Sequence, residues 1–309
     1  MKGAIIGDII GKRFEWHNIK TKEFALFVPG VSDFTDDTVL TLATAEALMR
    51  VRPDALAEEY REKFVTEYVW FAQNYPHRGY GGSFAGWIYS DKHEPYYSCG
   101  NGSAMRVSPV AWVARSLEEC ELLAKYSAEV THNHPDGIAG AQATAGACWL
   151  ALHGATKRKI REYVERYYTI DFKLDDIRDE YYFGHFQGLN AGTVPYAVEA
   201  FLESTGFEDC IRNTISIGGD SDTLAAISGA IAEAYYGVPD EIWDKAKHYL
   251  DTESRNRIRR FYDYANHLTG GTEAQEADRI SAFVSTLSSV GAERLRRLLD
   301  EKFPITEEN

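Results

Sequence analysis

The sequence predicts an all-α fold. Apolar residues recur at helical spacing along most of the 309-residue chain, whereas strand-like alternation of apolar and polar residues is scarce. Hydrophobic residues make up 44% of the chain, which is long enough to bury a sizeable core. These observations favour one large helical domain with an appendage at its C-terminal end.

Six segments carry the clearest helical pattern, and several have start or stop residues at their ends. Pro135 and Pro195 lie where prolines of a first helical turn belong, and Gly237 follows its helix as a terminator. In chain order the segments are VLTLATAEALMRV, ALAEEYREKFVTEYVWFAQ, ECELLAKYSAEV, IAGAQATAGACWLALHGA, YAVEAFLEST and LAAISGAIAEAYYG.

Two stretches depart from this helical pattern. Residues 76–101 are rich in Gly, Tyr, Ser and Pro but also contain several aromatic residues, so they are predicted to form a long ordered loop. After about Leu268, a Gly-Gly break precedes one or two amphipathic helices in GGTEAQEADRISAFVSTLSSVGAERLRRLLDEKF. We therefore divide the chain into a main domain, 1–265, and a C-terminal helical appendage, 266–309.

Charge and cysteine content argue against several classes of protein. The chain has 33 basic and 47 acidic residues, a formal charge of -14, so non-specific binding to nucleic acid or to an anionic membrane is not expected. The four cysteines are far apart and form no C-x-x-C pair, which indicates neither a disulfide framework nor a zinc site. The apolar N-terminal stretch is broken by Asp8 and is too short for a signal or membrane segment. The cytoplasm is the expected compartment.

Two nearly identical acidic clusters precede helices of small apolar residues. They are TDDT at residues 35–38 and DSDT at residues 220–223. Hydroxyl and carboxylate residues are favoured at helix starts, so capping alone explains one such cluster. Two clusters brought together would place four carboxylates in one site, which is costly unless a cation or protons compensate. Oxygen ligands of this kind suit Mg²⁺ or Mn²⁺, so the pattern leaves open a metal site and ordinary capping.

A glycine stripe marks the first predicted helix. In GAIIGDIIGKRFEW, Gly3, Gly7 and Gly11 recur every four residues, followed at the same spacing by Glu15. One helix face would therefore be bare glycine, open to close approach by another helix, and would end in a carboxylate. The alternative for Glu15 is a solvated side chain at the helix end. The spacing does not match a dinucleotide-binding loop.

Five ordered motifs together resemble the ADP-ribosylglycohydrolase family. The motifs are GAIIGDIIGKRFE, FTDDT, GNGSAMRVSP, THNHPDG and GGDSDT, and the resemblance covers roughly residues 1–265. It implies an orthogonal helical bundle with two Mg²⁺ or Mn²⁺ ions in a central cleft. It also implies metal-assisted cleavage of the glycosidic bond at the anomeric carbon of the distal ribose. Carboxylates would transfer the protons while the sugar passes through an oxocarbenium-like state.

The resemblance implies roles for both acidic clusters and for Glu15. Glu15 resembles a mobile glutamate of the family that approaches the metals when substrate is absent and contributes to catalysis. We expect Glu15, Asp36 and Asp222 to be the catalytic residues. The positions that match the metal ligands of the family are Thr35, Asp36, Asp37, Asp220, Asp222 and Thr223.

Two further motifs are expected to bind substrate. The glycines of GNGSAMR, residues 100–106, offer backbone N–H groups to a pyrophosphate, although a plain tight turn would have the same letters. The resemblance implies that His132 donates to a ribose or phosphate oxygen, whereas a lone loop histidine is otherwise structural; His134 is the weaker candidate. The expected substrate-binding residues are Gly81, Gly82, Ser98, Gly100, Asn101, Gly102, Ser103 and His132.

One loop indicates which type of ADP-ribosyl linkage the protein cleaves. HRGYGGSF, residues 77–84, resembles the loop of the branch that acts on O-linked, serine-type ADP-ribose, and no acidic residue occurs between Pro76 and Ser90. One departure weakens the match: Cys99 stands where that branch has a tyrosine as an adenine platform. Tyr96 and Tyr97 are the nearest aromatic residues.

The expected partner is an ADP-ribosylated protein or another ADP-ribosyl acceptor, with ADP-ribose as the product. Three alternatives belong to other classes. A Mg²⁺-dependent phosphohydrolase would release inorganic phosphate, and a non-catalytic ADP-ribose-binding module would bind without cleavage. A purely structural interpretation, with capped helices and no site, would show no metal dependence.

Overall fold

The computed structural model describes residues 1–181 and 188–268, and these form fifteen α-helices. The helices are α1 (Lys2–Glu15), α2 (Asp36–Met49), α3 (Ala57–Asn74), α4 (Gly82–Ile88), α5 (Gly102–Met105), α6 (Val110–Val113), α7 (Leu117–Glu129), α8 (Pro135–Leu152), α9 (Lys157–Val164), α10 (Leu174–Ile177), α11 (Asn190–Leu202), α12 (Phe207–Ile217), α13 (Ser221–Tyr236), α14 (Asp240–Ala246) and α15 (Thr252–Leu268). A short 3-10 turn, Lys247–Tyr249, follows α14. The described ranges contain no strand, and the predicted all-α class is confirmed.

The described residues belong mainly to one compact unit, Met1–Ala265. Of the second unit, Asn266–Asn309, the structure describes only the last residues of α15. The predicted appendage, 266–309, therefore lies almost wholly outside the described residues, as do its amphipathic helices. Its boundary stays a prediction.

Helix α13 is the central helix of the main unit. Every residue from Ser221 to Ala234 is buried, and α1, α8, α11 and α12 all pack against it. Most of its positions are Ala, Gly, Ser or Ile, and the small side chains let neighbouring helices come close on several sides. The apolar segment that follows the second acidic cluster is thus the core of the fold.

Helix α1 meets α13 at backbone contact distance along its glycine stripe. A Cβ atom added at Gly7 would lie 2.0 Å from the carbonyl oxygen of Ala225, and one at Gly11 would lie 2.5 Å from Cα of Asp222. Gly3 faces Gly229 in the same way. No side chain larger than hydrogen fits between the two helices, so the predicted glycine face is present and α13 is its partner.

Helix starts and stops agree with the sequence at two of the three marked positions. Pro135 opens α8, and Gly237 terminates α13 with a positive φ of 77°. The prediction for Pro195 was wrong, because this proline lies inside α11, which begins at Asn190. The earlier start is held by Asn190, whose side chain donates to the carbonyl oxygen of Gly100 at 2.8 Å. The local sequence around Pro195 could not predict this hydrogen bond, because the accepting carbonyl group belongs to a distant loop.

The predicted loop of residues 76–101 is irregular only in part. It contains α4, whose Phe84, Trp87 and Ile88 are buried, so the aromatic residues of this stretch build a helix against the core. Three non-glycine residues of the remainder, His77, His93 and Tyr97, have positive φ values of 62°, 49° and 56°. This backbone conformation is uncommon outside glycine and requires support from surrounding contacts.

We expect Gly7→Ala to destabilise the protein by about 2 kcal/mol or more, because the added methyl group meets the backbone of α13 and forces the helices apart. Urea denaturation monitored by circular dichroism would measure the change. Gly86→Ala is the matched control, since Gly86 is exposed in α4 and a Cβ atom there meets nothing within 4 Å. That control should be neutral or slightly stabilising. Equal stability of both variants would contradict the close contact between α1 and α13.

Candidate active site

Five segments of the chain contribute most of the lining of one cleft of about 350 Å³, to which His132 and Gly188 are added. The five segments are the end of α1, the start of α2, the loop segments around residues 79–84 and 96–106, and the start of α13. The sequence-predicted residues that line the cleft are Glu15, Thr35, Asp36, Asp37, Gly81, Gly82, Ser98, Gly100, Asn101, Gly102, His132, Asp220, Asp222 and Thr223. Further lining residues that the sequence did not single out include Leu40, Phe84, Met105 and Arg106.

The two acidic clusters face each other across this cleft. Thr223 Oγ1, at the start of α13, donates a long hydrogen bond of 3.4 Å to Asp37 Oδ2 at the start of α2. Carboxylate oxygens of Glu15, Asp220 and Asp222 all lie within 4.8 Å of one another. The ends of three helices thus contribute acidic side chains to a single small volume.

Helix capping does not account for the second cluster. Asp220 occupies the N-cap position of α13, but its side chain makes no capping hydrogen bond. Its Oδ2 instead accepts from the side-chain nitrogen of Asn101 at 2.7 Å. In the first cluster the hydroxyl of Thr35 caps α2 by accepting from the backbone N–H of Asp37. The carboxylate of Asp220 therefore faces the cleft as a side chain held from a distant loop.

Burial and mutual repulsion raise the pKa values of these acids. Burial, followed by the charge of Asp220, raises the pKa of Glu15 to about 7. Burial, followed by the charge of Asp8, raises the pKa of Asp36 to about 8. The pKa of Asp222 lies well above its usual range, chiefly because the side chain is buried and secondarily because Asp220 is close. Without a compensating cation the site would take up protons near neutral pH.

The donor set fits a hard divalent cation. Asp37 Oδ1 and Asp222 Oδ1 are buried and have no hydrogen-bond partner among the described residues. Buried polar atoms are normally paired, so two orphaned carboxylate oxygens from facing clusters are suited to bind a cation. Carboxylate and hydroxyl oxygens are the ligands that Mg²⁺ and Mn²⁺ prefer.

The sequence did not indicate the importance of Asp8. This residue is fully buried in α1, and its carboxylate accepts hydrogen bonds from the backbone N–H and the hydroxyl of both Thr35 and Thr38. Asp8 thereby ties the start of α2 to α1. The available signal was a single carboxylate within the apolar run of residues 3–11, since a buried charge requires several donors.

The loop of residues 98–103 forms one wall of the cleft. Asn101 donates to Asp220 Oδ2 and, at 3.1 Å, to Thr193 Oγ1, so it also orients an acid of the site. Ser103, a predicted substrate-binding residue, lies behind this wall: its hydroxyl is buried, donates to the carbonyl oxygen of Gly137 at 2.6 Å and accepts from Asn190. Ser103 holds the loop against α8 and does not line the cleft.

The two histidines of the THNHPDG motif differ in their roles. His132 lines the cleft and is 5% exposed; burial, together with the charge of Arg106, lowers its pKa well below its usual range. His134 is the N-cap of α8, and its Nδ1 accepts from the backbone N–H of Asp136 at 3.0 Å. The weaker candidate thus has a structural role.

Of the two tyrosines before the loop, Tyr96 lines the cleft and Tyr97 does not. The ring of Tyr96 lies 5.9 Å from that of His132, centroid to centroid. Tyr97 is 62% exposed and packs edge-on against His134. Tyr96 is therefore the aromatic side chain of this segment that a ligand in the cleft would contact.

The chain belongs to the ADP-ribosylglycohydrolase family, whose model matches residues 1–277, and the family consists of hydrolases of glycosidic bonds. The match extends beyond the boundary predicted at residue 265. It agrees with the resemblance carried by the five sequence motifs.

Relatives with two different names are among the proteins similar to this chain. ADP-ribosylhydrolase ARH3 of Homo sapiens is 27% identical over 330 residues, covering 82% of this chain and 89% of the relative. The ADP-ribosyl-[dinitrogen reductase] glycohydrolase of Rhodospirillum rubrum is 29% identical over 172 residues, covering 55% and 57%. A solved structure described as an ADP-ribosylglycohydrolase-related protein complex matches with a TM-score of 0.59 at 23% identity, covering 86% of this chain and 95% of that one, and supports the fold. Within the described ranges, no helix has the length and apolar character needed to cross a membrane.

We expect metal-free protein to lose stability as pH rises from about 5 to 8, because the native state then holds protons on carboxylates that the unfolded chain has already released. Asp36→Asn should remove part of this loss. In EDTA at pH 8 the variant should be more stable than wild type by about 1 kcal/mol or more, and the advantage should shrink at pH 5.

Urea denaturation at both pH values would measure these differences. Asp91→Asn, at an exposed position, is the control and should change neither value. An Asp36→Asn variant that is no more stable than wild type at pH 8 would contradict the electrostatic description of the site.

Proposed function

We propose that the chain is a metal-dependent hydrolase that releases ADP-ribose from O-linked, serine-type substrates by cleaving the glycosidic bond at the distal ribose. The observation that carries the proposal is the meeting of Glu15 with both acidic clusters in one cleft, including two buried carboxylate oxygens without partners. The printed names of the similar proteins, ADP-ribosylhydrolase and ADP-ribosyl-[dinitrogen reductase] glycohydrolase, support the substrate class.

Two Mg²⁺ or Mn²⁺ ions would be held between the two acidic clusters. The ligands from the first cluster would be Thr35, Asp36 and Asp37, and those from the second Asp220, Asp222 and Thr223. A divalent cation supplies Lewis acidity and a means of activating water near neutral pH. The orphaned oxygens of Asp37 and Asp222 are the strongest support for these ligands.

Glu15 is the best-placed residue for proton transfer. It lies at the end of α1, within reach of Asp220 and Asp222, and a carboxylate at this position can accept and return a proton. Asn101 holds Asp220 in place, and Asp8 holds the start of α2. These fixed contacts would orient the sugar and its leaving group relative to Glu15.

The preference for O-linked substrates rests on the loop of residues 77–84. The residues that it contributes to the cleft are Gly79, Gly81, Gly82, Ser83 and Phe84, none of which is acidic. A Cβ atom added at Gly79 would lie 3.4 Å from Asp36 Oδ1, so this loop borders the acidic end of the cleft. An arginine-linked substrate carries a guanidinium group, which would favour a carboxylate partner from this loop, whereas the glycosidic oxygen of a serine-linked substrate requires none.

The expected acceptor is an ADP-ribosylated protein or another ADP-ribosyl conjugate. The expected compartment is the reducing cytoplasm, which all four cysteines, present as free thiols, support.

With Mg²⁺ present, we expect release of ADP-ribose from a serine-linked ADP-ribosyl peptide, slower release from an arginine-linked peptide, and no release from either in EDTA. Chromatography of the released nucleotide would measure all four reactions. Preferential cleavage of the arginine linkage would overturn the assigned linkage. Release of inorganic phosphate in place of ADP-ribose would identify a phosphohydrolase, and metal-dependent binding without cleavage would identify a binding module.

Asp36→Ala should lower turnover at least about 100-fold while leaving the circular dichroism spectrum unchanged, because it removes a predicted ligand without opening the helical core. Asp91→Ala, at an exposed loop position, is the control and should retain wild-type turnover. Near-normal activity of Asp36→Ala would show that the acidic cluster is not the site of reaction.

A further inference from the structure

A buried arginine, Arg106, lines the cleft. Arg106 is 0% exposed, and its guanidinium carbon lies 4.1 Å from the ring centroid of Tyr68. Its Nη2 donates to the carbonyl oxygen of Ser127 at 3.0 Å and to Thr131 Oγ1 at 2.8 Å. Its Nε and Nη1 are buried without a hydrogen-bond partner in the described ranges. A buried cation that makes so few contacts requires an explanation beyond packing.

The hydroxyl of Thr131 connects this arginine to His132. Thr131 Oγ1 accepts from Arg106 and lies 2.8 Å from His132 Nδ1, but 3.4 Å from the carbonyl oxygen of Ala128. That carbonyl already accepts from the backbone N–H groups of Thr131 and His132. The single hydroxyl hydrogen of Thr131 therefore goes to the shorter contact, His132 Nδ1.

The hydrogen bond that His132 Nδ1 accepts from Thr131 determines which ring nitrogen of His132 is protonated. A neutral imidazole that accepts at Nδ1 is protonated at Nε2. Nε2 faces the loop wall of the cleft, 3.1 Å from where a Cβ atom of Gly102 would lie and 3.5 Å from that of Gly100. Burial and the nearby guanidinium oppose a second proton on this ring, as the lowered pKa of His132 indicates.

We propose that Arg106 and Thr131 are positioning residues that hold His132 as a neutral imidazole, with its hydrogen on Nε2 directed at an anionic oxygen of the ligand. The buried charge of Arg106 acts on His132, whereas Glu15, Asp220 and Asp222 form a separate acidic group in the same cleft. The ligand would thereby be oriented with its phosphate groups beside His132. The identity of the anionic group as a diphosphate rests on the proposed function.

The tautomer can be measured without substrate or metal. In protein labelled with ¹⁵N-histidine, long-range NMR correlations distinguish the protonated from the unprotonated ring nitrogen, and His132→Gln assigns the signals. Wild type should show an unprotonated Nδ1 and a protonated Nε2. In Thr131→Val, which has nearly the same shape but no hydroxyl, the preference for this tautomer should be weakened, whereas Thr131→Ser should retain it.

Calorimetry with ADP-ribose in Mg²⁺ tests the consequence for binding. Thr131→Val should bind about tenfold more weakly than wild type, the effect of losing one well-oriented hydrogen bond, and Thr131→Ser should bind within about twofold of wild type. Circular dichroism melting curves of both variants would report any change in folding.

The inference is overturned if wild-type His132 carries its hydrogen on Nδ1, or if Thr131→Val leaves both the tautomer and the affinity unchanged. The wild-type spectrum decides the question even if Thr131→Val does not fold. Failure of wild type to bind ADP-ribose would instead refute the proposed function, because the tautomer is measured on the ligand-free protein.

Discussion

The close contact between α1 and α13 determines the geometry of the whole site. Three glycines let the backbones touch, and the contact ends where Gly11 meets Asp222, directly beside the acidic side chains. Glu15 follows one helical turn later on the same face and lies within 4.8 Å of Asp220 and Asp222 through their carboxylate oxygens. The separation of these acids is therefore fixed by backbone packing rather than by flexible side chains, which is how a site with several like charges keeps its shape.

The same helix also holds the other half of the site. Asp8, on α1, accepts four hydrogen bonds from Thr35 and Thr38 and so fixes the start of α2. One helix thus carries the glycine stripe, the anchor of the first cluster and the candidate proton-transfer residue. The stability of the core and the electrostatic cost of the site are coupled through it, since the acids repel one another in the arrangement that the packing imposes.

The sequence predicted the features that local spacing encodes. The four-residue glycine repeat predicted a close helix contact, and the two acidic helix starts predicted carboxylates that could share a site. Spacing did not identify contacts between distant segments. It did not predict the hydrogen bonds of Asp8 with Thr38 or of Ser103 with Gly137. It also did not predict that α11 begins at Asn190, ahead of Pro195. The buried Arg106 was also missed, because a single arginine after a loop motif is normally read as exposed.

An anomalous difference map from crystals grown with Mn²⁺ tests most directly whether the two acidic clusters form one cation site. We predict a manganese peak bonded to carboxylates of both clusters, with Asp37 and Asp222 among its ligands. A map without a peak in the cleft, or a peak bound by one cluster alone, would contradict the claim that the α1–α13 contact brings the two clusters together as one cation site.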